Sequence, residues 1–280
     1  MAYPNTAEDG LDDESAPAAS EGSVNVVVTI HARGAERGTQ WLRGGWRLFI
    51  AAPGMWIVLT IVFLLIFIML NLVPVIGMLL ALVLAPALSG GVLLAARDAD
   101  AGRPLDLGRL FEPLLTQGVR GDIVILGLLY AGAHVAAAVV SMLLLLVTAD
   151  LSALDPGQLS GHVGVDPGSA ASMGLGVLFA CLIWLALGVA VMVVFFYAIP
   201  LIVLAALPPI HAIGQGVRGL LRNALPLLVL GLVWTVLALL ASLPMMLGWL
   251  VLWPVTWAAW YTSYRDIFDP AEVIPGVSGD

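Results

Sequence analysis

The chain is predicted to be an all-α polytopic membrane protein, with six transmembrane helices arranged as three hairpins and short interfacial helices on the cytoplasmic side. Three observations predict it. First, residues 48–96 hold no Asp, Glu, Lys or Arg, and similar charge-free runs separate Asp122 from Asp150, Asp166 from Arg218, and Arg222 from Arg265. One spanning helix takes about 20 apolar residues, because the hydrocarbon layer is about 30 Å thick. Second, 61% of the residues are hydrophobic and 11% charged, against about 25% charged in soluble domains. Lipid imposes that shortage, since a charge at mid-bilayer costs roughly 2.5–3.5 kcal/mol on insertion scales. Third, the 11 basic residues, all Arg, are segregated by loop. Arg33, Arg37, Arg43 and Arg47 precede the first span, and Arg97, Arg103, Arg109 and Arg120 lie between the second and third. Arg218 and Arg222 lie between the fourth and fifth, and Arg265 follows the last. The loops after the first, third and fifth spans have none. Basic loops stay in the cytoplasm, so both termini are expected there, and an odd number of spans would break the segregation.

The formal net charge of −8 does not describe an acidic surface, because Glu8, Asp9, Asp12, Asp13, Glu14 and Glu21 crowd the start of the chain. Residues 1–37 are expected to be a disordered acidic tail, too polar to bury a core. Within it Val24–Ile30 has the β-branched composition of a short strand, which alone is marginal. The acidic beginning is unlike a signal peptide, so the first span is expected to serve as an uncleaved signal. Residues 38–268 form the expected six-helix transmembrane domain. Trp41, Leu42, Trp46, Phe49 and Ile50, interleaved with Arg43 and Arg47, predict an interfacial helix. Pro53 then suits the first turn of a helix.

The spans are predicted at about 55–70, 78–96, 123–147, 173–207, 225–242 and 246–264. Asn71, Pro74 and Gly77 make the first tight turn. Pro86 lies inside the second span, and the long fourth span can tilt or kink at Pro200. Residues 269–280 form a C-terminal tail. A lone cysteine, Cys181, allows no intramolecular disulfide and no cysteine-rich metal site.

A repeat links the second and sixth spans. Leu82–Pro86 reads LVLAP and Leu250–Pro254 reads LVLWP. Eleven residues after each proline comes an Arg-Asp pair, Arg97–Asp98 and Arg265–Asp266. Amphipathic stretches precede the outgoing helices at Trp41–Ile50, Leu105–Leu115 and Ile210–Leu221. In the last, Ile210, Ile213, Val217, Leu220 and Leu221 share one face. The simplest account is three units, each an interfacial helix followed by a transmembrane hairpin.

Four stretches carry a family resemblance. They are Gly45-Trp46-Arg47-Leu48-Phe49 with Pro53 and Trp56; Asn71 through Pro74 to Gly77; Arg97 with Gly102-Arg103-Pro104-Leu105 and Leu110-Phe111; and Tyr261-Thr262-Ser263-Tyr264-Arg265-Asp266-Ile267-Phe268. On these residues the chain resembles a family of uncharacterised proteobacterial inner-membrane proteins, from about Arg33 to Phe268. The closing YTSYRDIF is the most specific piece. The resemblance implies a six-helix membrane domain and no assigned activity or catalytic residue.

Candidate polar positions are few. His134 lies in the middle of a predicted span, with Tyr130 one turn before it on the same face. An intramembrane histidine can serve a proton relay, but no carboxylate lies inside a span to partner it. A neutral imidazole bonded to a neighbouring helix is the favoured reading. Ala133, Ala137 and Ser141, with Gly132 and Ala136 alongside, offer small-residue packing, more readily internal than between copies. Trp249, Trp253, Trp257 and Trp260 form a stripe that suits interfacial anchoring and core packing better than ligand stacking. Arg97, Asp98, Arg265 and Asp266 lie at helix C-termini, where a cation meets the dipole favourably. They are expected to pair between units or to hold anionic headgroups.

The sequence holds no P-loop, HExxH, GxSxG or Cys/His metal spacing. No catalytic residue, cofactor or metal is assigned, and sparse basic loops argue against nucleic acid. The expected function is a non-enzymatic accessory or scaffold component of the bacterial inner membrane, with lipids and a membrane-protein partner. The alternative is a small permease for a neutral or hydrophobic solute. A lipid-modifying enzyme ranks last.

Overall fold

The computed structural model describes residues 28–148 and 167–269. The acidic stretch Glu8–Glu21, the loop around Asp155 and residues 270–280 lie outside the described residues. The elements run β1 (Thr29–Ile30), α1 (Arg37–Ala51), α2 (Pro53–Asn71), α3 (Ile76–Asp100), a 3-10 turn (Leu107–Leu110), α4 (Glu112–Leu115), α5 (Arg120–Thr148), α6 (Pro167–Phe196), α7 (Ala198–Ala205), α8 (Pro209–Arg222), α9 (Ala224–Ser242), α10 (Trp249–Ile267) and β2 (Phe268–Asp269).

Five stretches are long and apolar enough to cross a membrane: Pro53–Asn71, Ile76–Asp100, Arg120–Val147, Gly174–Ala205 and Ala224–Ser242. The helix expected as a sixth span, α10, has 19 residues but is less apolar. Packing explains the difference. Only 6% of the Gly174–Ala205 window and 11% of the Ala224–Ser242 window are buried within the protein, against 56% for Ile76–Asp100. Helices with bare sides must be apolar all round. By contrast, α10 buries residues along most of its length, from Leu252 to Ile267. Shielded by protein, it can carry Thr256, Thr262, Ser263 and the polar tips of buried Trp257, Trp260, Tyr261 and Tyr264. The two repeat-bearing helices, α3 and α10, are thus the inner pair.

Close approach fixes two of the helix crossings. A Cβ on Gly45 of α1 would stand 2.6 Å from both the Val255 carbonyl oxygen and the Ala259 nitrogen of α10. A Cβ on Gly127 of α5 would collide with the Val83 carbonyl of α3. Backbone-to-backbone contact of this kind suits helices in lipid, where van der Waals packing drives association.

The structure alters several expected details. The fourth span is two helices, broken at Tyr197, with Pro200 in the first turn of α7. Proline there cannot donate to the Phe196 carbonyl, so the chain bends just upstream. The middle interfacial helix shrinks to a 3-10 turn and one turn of α4. Asp106 caps the turn by accepting from the Gly108 N–H at 2.9 Å, and Pro113 opens the next.

In α1, Trp41, Leu42, Leu48 and Phe49 are buried, while Trp46 and Ile50 face outward. In α8 the expected apolar face is divided, with Ile213 and Leu220 packed against the core. Ile210 and Leu221 are exposed, and Ala212, Gly216 and Gly219 pack inward. A small inner face and a greasy outer one place such a helix flat on a lipid surface.

The strand expected within Val24–Ile30 is present at Thr29–Ile30. It pairs antiparallel with β2, Thr29 opposite Asp269 and Ile30 opposite Phe268. Residues 28–37 are therefore tied to the far end of the chain.

Candidate functional site at the polar end of the bundle

The charged residues of the described chain gather where α3 and α10 end. Asp98 is 2% exposed. Its Oδ1 accepts from Arg103 Nη2 at 2.5 Å, and its Oδ2 from Arg109 Nε at 2.6 Å. Arg109 reaches on to Glu112. The Glu112 hydrogen bond, and then that of Asp98, raise the Arg109 pKa above its already high value. Asp98 thus pins the segment after α3 against the helix end.

Asp266 does the same for the first residues of the domain. Its Oδ2 accepts from Trp41 Nε1 at 3.0 Å. Its Oδ1 faces Arg33 Nε at 3.3 Å and Arg37 Nη1 at 3.7 Å, and its carbonyl accepts from Arg33 Nη2 at 2.6 Å. Arg265 pairs with Asp100 of α3, and the Tyr261 hydroxyl reaches the same carboxylate at 3.3 Å.

Every residue of the family-like closing stretch is therefore engaged. The Thr262 hydroxyl donates to the Trp41 carbonyl at 3.0 Å. Tyr197, fully buried, donates to Ser263 Oγ at 3.0 Å. Tyr264 stacks on Phe268 with centroids 5.6 Å apart. Ile267 and Phe268 are wholly buried.

The sequence alone did not single out Asn223, which is 0% exposed. Its Nδ2 donates to the carbonyls of His31 and Gly219, each at 2.9 Å, and its Oδ1 accepts from the Arg33 N–H at 2.8 Å. One buried amide ties the entering strand to the junction of α8 and α9. A lone Asn between Arg222 and an apolar helix was the available signal, and it reads equally well as a loop residue.

The expected polar positions part company here. Asp98, Arg265 and Asp266 are in this end cluster. Arg97 is beside them, but its Nε is buried with no hydrogen-bond partner among the described residues. His134 and Tyr130 are elsewhere, within α5. His134 Nδ1 donates to the Tyr130 carbonyl at 3.0 Å, so its partner is its own helix rather than a neighbour. Ala137 and Ser141 are buried and Ala133 is half-buried, whereas Gly132 and Ala136 are exposed, so only the first row of small residues packs inward.

Further into the bundle, a cavity of about 450 Å³ lies between α3, α5, α6, α9 and α10. Trp249, Trp253, Trp257 and Trp260 of α10 line it together with Ala85, Pro86 and Ser89 of α3 and Tyr130 of α5. The tryptophan stripe is continuous, with centroids 5.8 Å apart for Trp249 and Trp253 and 6.2 Å for Trp253 and Trp257. No Asp, Glu, Lys or Arg lines it. No group of three or more metal-ligating side chains occurs among the described residues.

A mostly helical chain with a greasy exterior, several bilayer-length helices and the charges of its described residues drawn to one end defines a multi-pass integral membrane protein. The particular family follows from comparison. The chain is 30% identical over 267 residues to a probable inner membrane protein of Burkholderia thailandensis, covering 85% of this chain and 93% of that one. It belongs to that inner-membrane protein family. No family model matches the chain, and no solved structure matches it.

Proposed function

We propose that this protein is a non-enzymatic accessory or scaffold component of the inner membrane, crossing it six times with both termini in the cytoplasm. The observation that carries this reading is the use made of the carboxylates at the polar end. Asp100 and Asp266 are neutralised by arginines distant in the chain, and Asp98 by Arg103 and Arg109 of the segment that follows α3. They hold segments together instead of standing ready as acids or bases.

The antiparallel pairing of β1 with β2 brings residues 29–30 beside residues 268–269, which supports an even number of crossings. Arg43, Arg47, Arg218 and Arg222 are exposed and make no ion pair among the described residues. On the cytoplasmic face they suit anionic headgroups, each contributing about 1 kcal/mol near a charged surface.

Reporter fusions test the topology. Activity of a periplasmic reporter is expected after Pro74 and within the Asp155 loop, and activity of a cytosolic one after Arg103 and at the C-terminus. A cytosolic Asp155 loop would overturn it. Purification in mild detergent with lipid and protein analysis tests the scaffold role, which predicts a stoichiometric protein partner.

A second reading, a permease for a neutral or hydrophobic solute, is favoured by the uncharged cavity and by Pro86 in its wall. Interrupted helices and repeats are features of transporters. A substrate-dependent flux in proteoliposomes decides for it.

A further inference from the structure

We propose that the tryptophan-lined cavity binds a neutral, flat, conjugated-carbonyl ring carried on an apolar tail, the chemistry of a quinone. This goes beyond both functional readings, and it holds whether such a molecule is carried or simply kept. Size is the first argument. The cavity is about 450 Å³, and a second chamber of about 530 Å³ along α9 shares Phe196, Trp234, Thr256 and Trp260 with it. Small-molecule sites run from roughly 300 to 1,000 Å³. The first chamber holds a ring and the second, whose lining is almost wholly apolar and includes Leu220, Leu227, Leu228 and Leu230, takes a tail.

Charge is the second argument. No Asp, Glu, His, Lys or Arg lines either chamber, so a charged ligand would be left unpaired in a low-dielectric site. Aromatic faces are the third, because flat indoles stack on flat rings better than on a disordered acyl chain.

Unused donors are the fourth argument, and they separate a carbonyl ligand from plain lipid. Across this chain helical hydroxyls turn back to their own helix. Thr60, Ser141, Thr235, Ser242 and Thr256 each donate to the carbonyl four residues before, at 2.7–2.8 Å. That is the usual way for Ser and Thr to stay satisfied in a helix. Ser89, on the cavity wall, makes no such bond. The Tyr130 hydroxyl has no partner among the described residues either. Trp260, which borders both chambers, has a buried N–H with no acceptor. An acyl chain would leave these donors unmet, whereas ring carbonyls meet them.

The full chain, reconstituted in nanodiscs of neutral phospholipid, is titrated with a short-tailed benzoquinone while tryptophan fluorescence is followed. Parallel discs contain phospholipid brominated on its acyl chains. Saturable quenching is expected. Ser89→Ala and Tyr130→Phe should each weaken the apparent affinity about two- to tenfold, the usual range for one hydrogen bond. Trp46→Phe, on the outer face of α1, should leave affinity unchanged and report that the fold is intact. Quenching that rises linearly without saturation overturns the proposal. So does an affinity indifferent to both hydroxyl variants. Brominated chains that quench the stripe and resist displacement by the quinone also overturn it, by showing that lipid occupies the cavity.

Discussion

Trp41 Nε1 donates to Asp266 Oδ2 at 3.0 Å, a partly buried bond that joins the first helix of the domain to its last. Both groups are well shielded: Trp41 is 3% exposed and the Asp266 side chain 18%. Asp266→Ala leaves a buried indole N–H without an acceptor and two arginines without a counter-charge. Each unmet buried donor costs about 1–3 kcal/mol, so the loss should be about 2–3 kcal/mol, read as a lower thermal midpoint in detergent. Asp266→Asn keeps an acceptor and should cost about half as much. Arg265→Ala is the control. Its side chain is 57% exposed, and exposed ion pairs contribute about 0–1 kcal/mol, so the midpoint should hardly move.

Asp98→Asn tests the other half of the end cluster. The carboxylate is nearly fully enclosed while both of its arginines reach solvent, Arg103 at 54% and Arg109 at 29% exposed. Breaking a fully buried pair costs about 3–5 kcal/mol. Solvent relieves the two freed cations here, and about 2 kcal/mol is expected. The raised Arg109 pKa means its stabilising contribution is fully present below the ordinary arginine pKa and is lost only as pH rises through the still higher folded value. Alkaline titration to about pH 10 should therefore leave the cluster closed, as a thermal-midpoint series in pH would show.

Gly45→Val should be more damaging than either charge variant. The side chain would meet the backbone of α10 at Val255 and Ala259, which cannot step aside as a flexible side chain can. Overpacking typically costs about 1–3 kcal/mol, occasionally more. Separation of α1 from α10 also exposes the Trp41–Asp266 bond, so protease sensitivity near Arg37 should rise along with the fall in thermal midpoint.

The helices were legible in the sequence because lipid forces apolar residues onto every uncovered face, and α2, α3, α5 and α9 coincide with predicted spans to within a few residues. The less apolar character of α10 has the same cause in reverse, since protein covers it. The end cluster was half legible. The repeated Arg-Asp pairs pointed to Asp98 and Asp266, but spacing does not say which arginine each carboxylate meets. Asp98 pairs within its own segment, whereas Arg265 and Asp266 pair with α3 and the entering strand. Asn223 and the unpartnered Ser89 were not legible, because only three-dimensional placement shows what a side chain can reach. In α8 the shared apolar face did not show that Ile213 and Leu220 pack on the core while Ile210 and Leu221 stay exposed.

Asn223→Ala removes three hydrogen bonds at once. The carbonyl of Gly219 belongs to a helix end and can find other donors. The His31 carbonyl and the Arg33 N–H cannot do so without water entering beside β1. An expected cost of about 2 kcal/mol follows from two stranded backbone groups. Hydrogen exchange should locate it, with faster exchange at His31, whose N–H donates to the Ile267 carbonyl at 2.8 Å, and little change in α5 or α6. Uniform loss of protection throughout the bundle would show that the amide does not act locally.

His134→Ala should do little. The imidazole donates to the carbonyl of its own helix one turn back and lies 4.3 Å, centroid to centroid, from the Tyr130 ring. Alanine is a better helix former and leaves that carbonyl with its backbone partner. A change within about 1 kcal/mol is expected from loss of one modest hydrogen bond and one ring contact. If a proton relay passed through this helix, the same substitution would abolish a measurable proton flux in proteoliposomes while the fold survived. Among the described residues no carboxylate lies near the middle of a span to receive such a proton, and so the flux of the variant and of the parent should be indistinguishable.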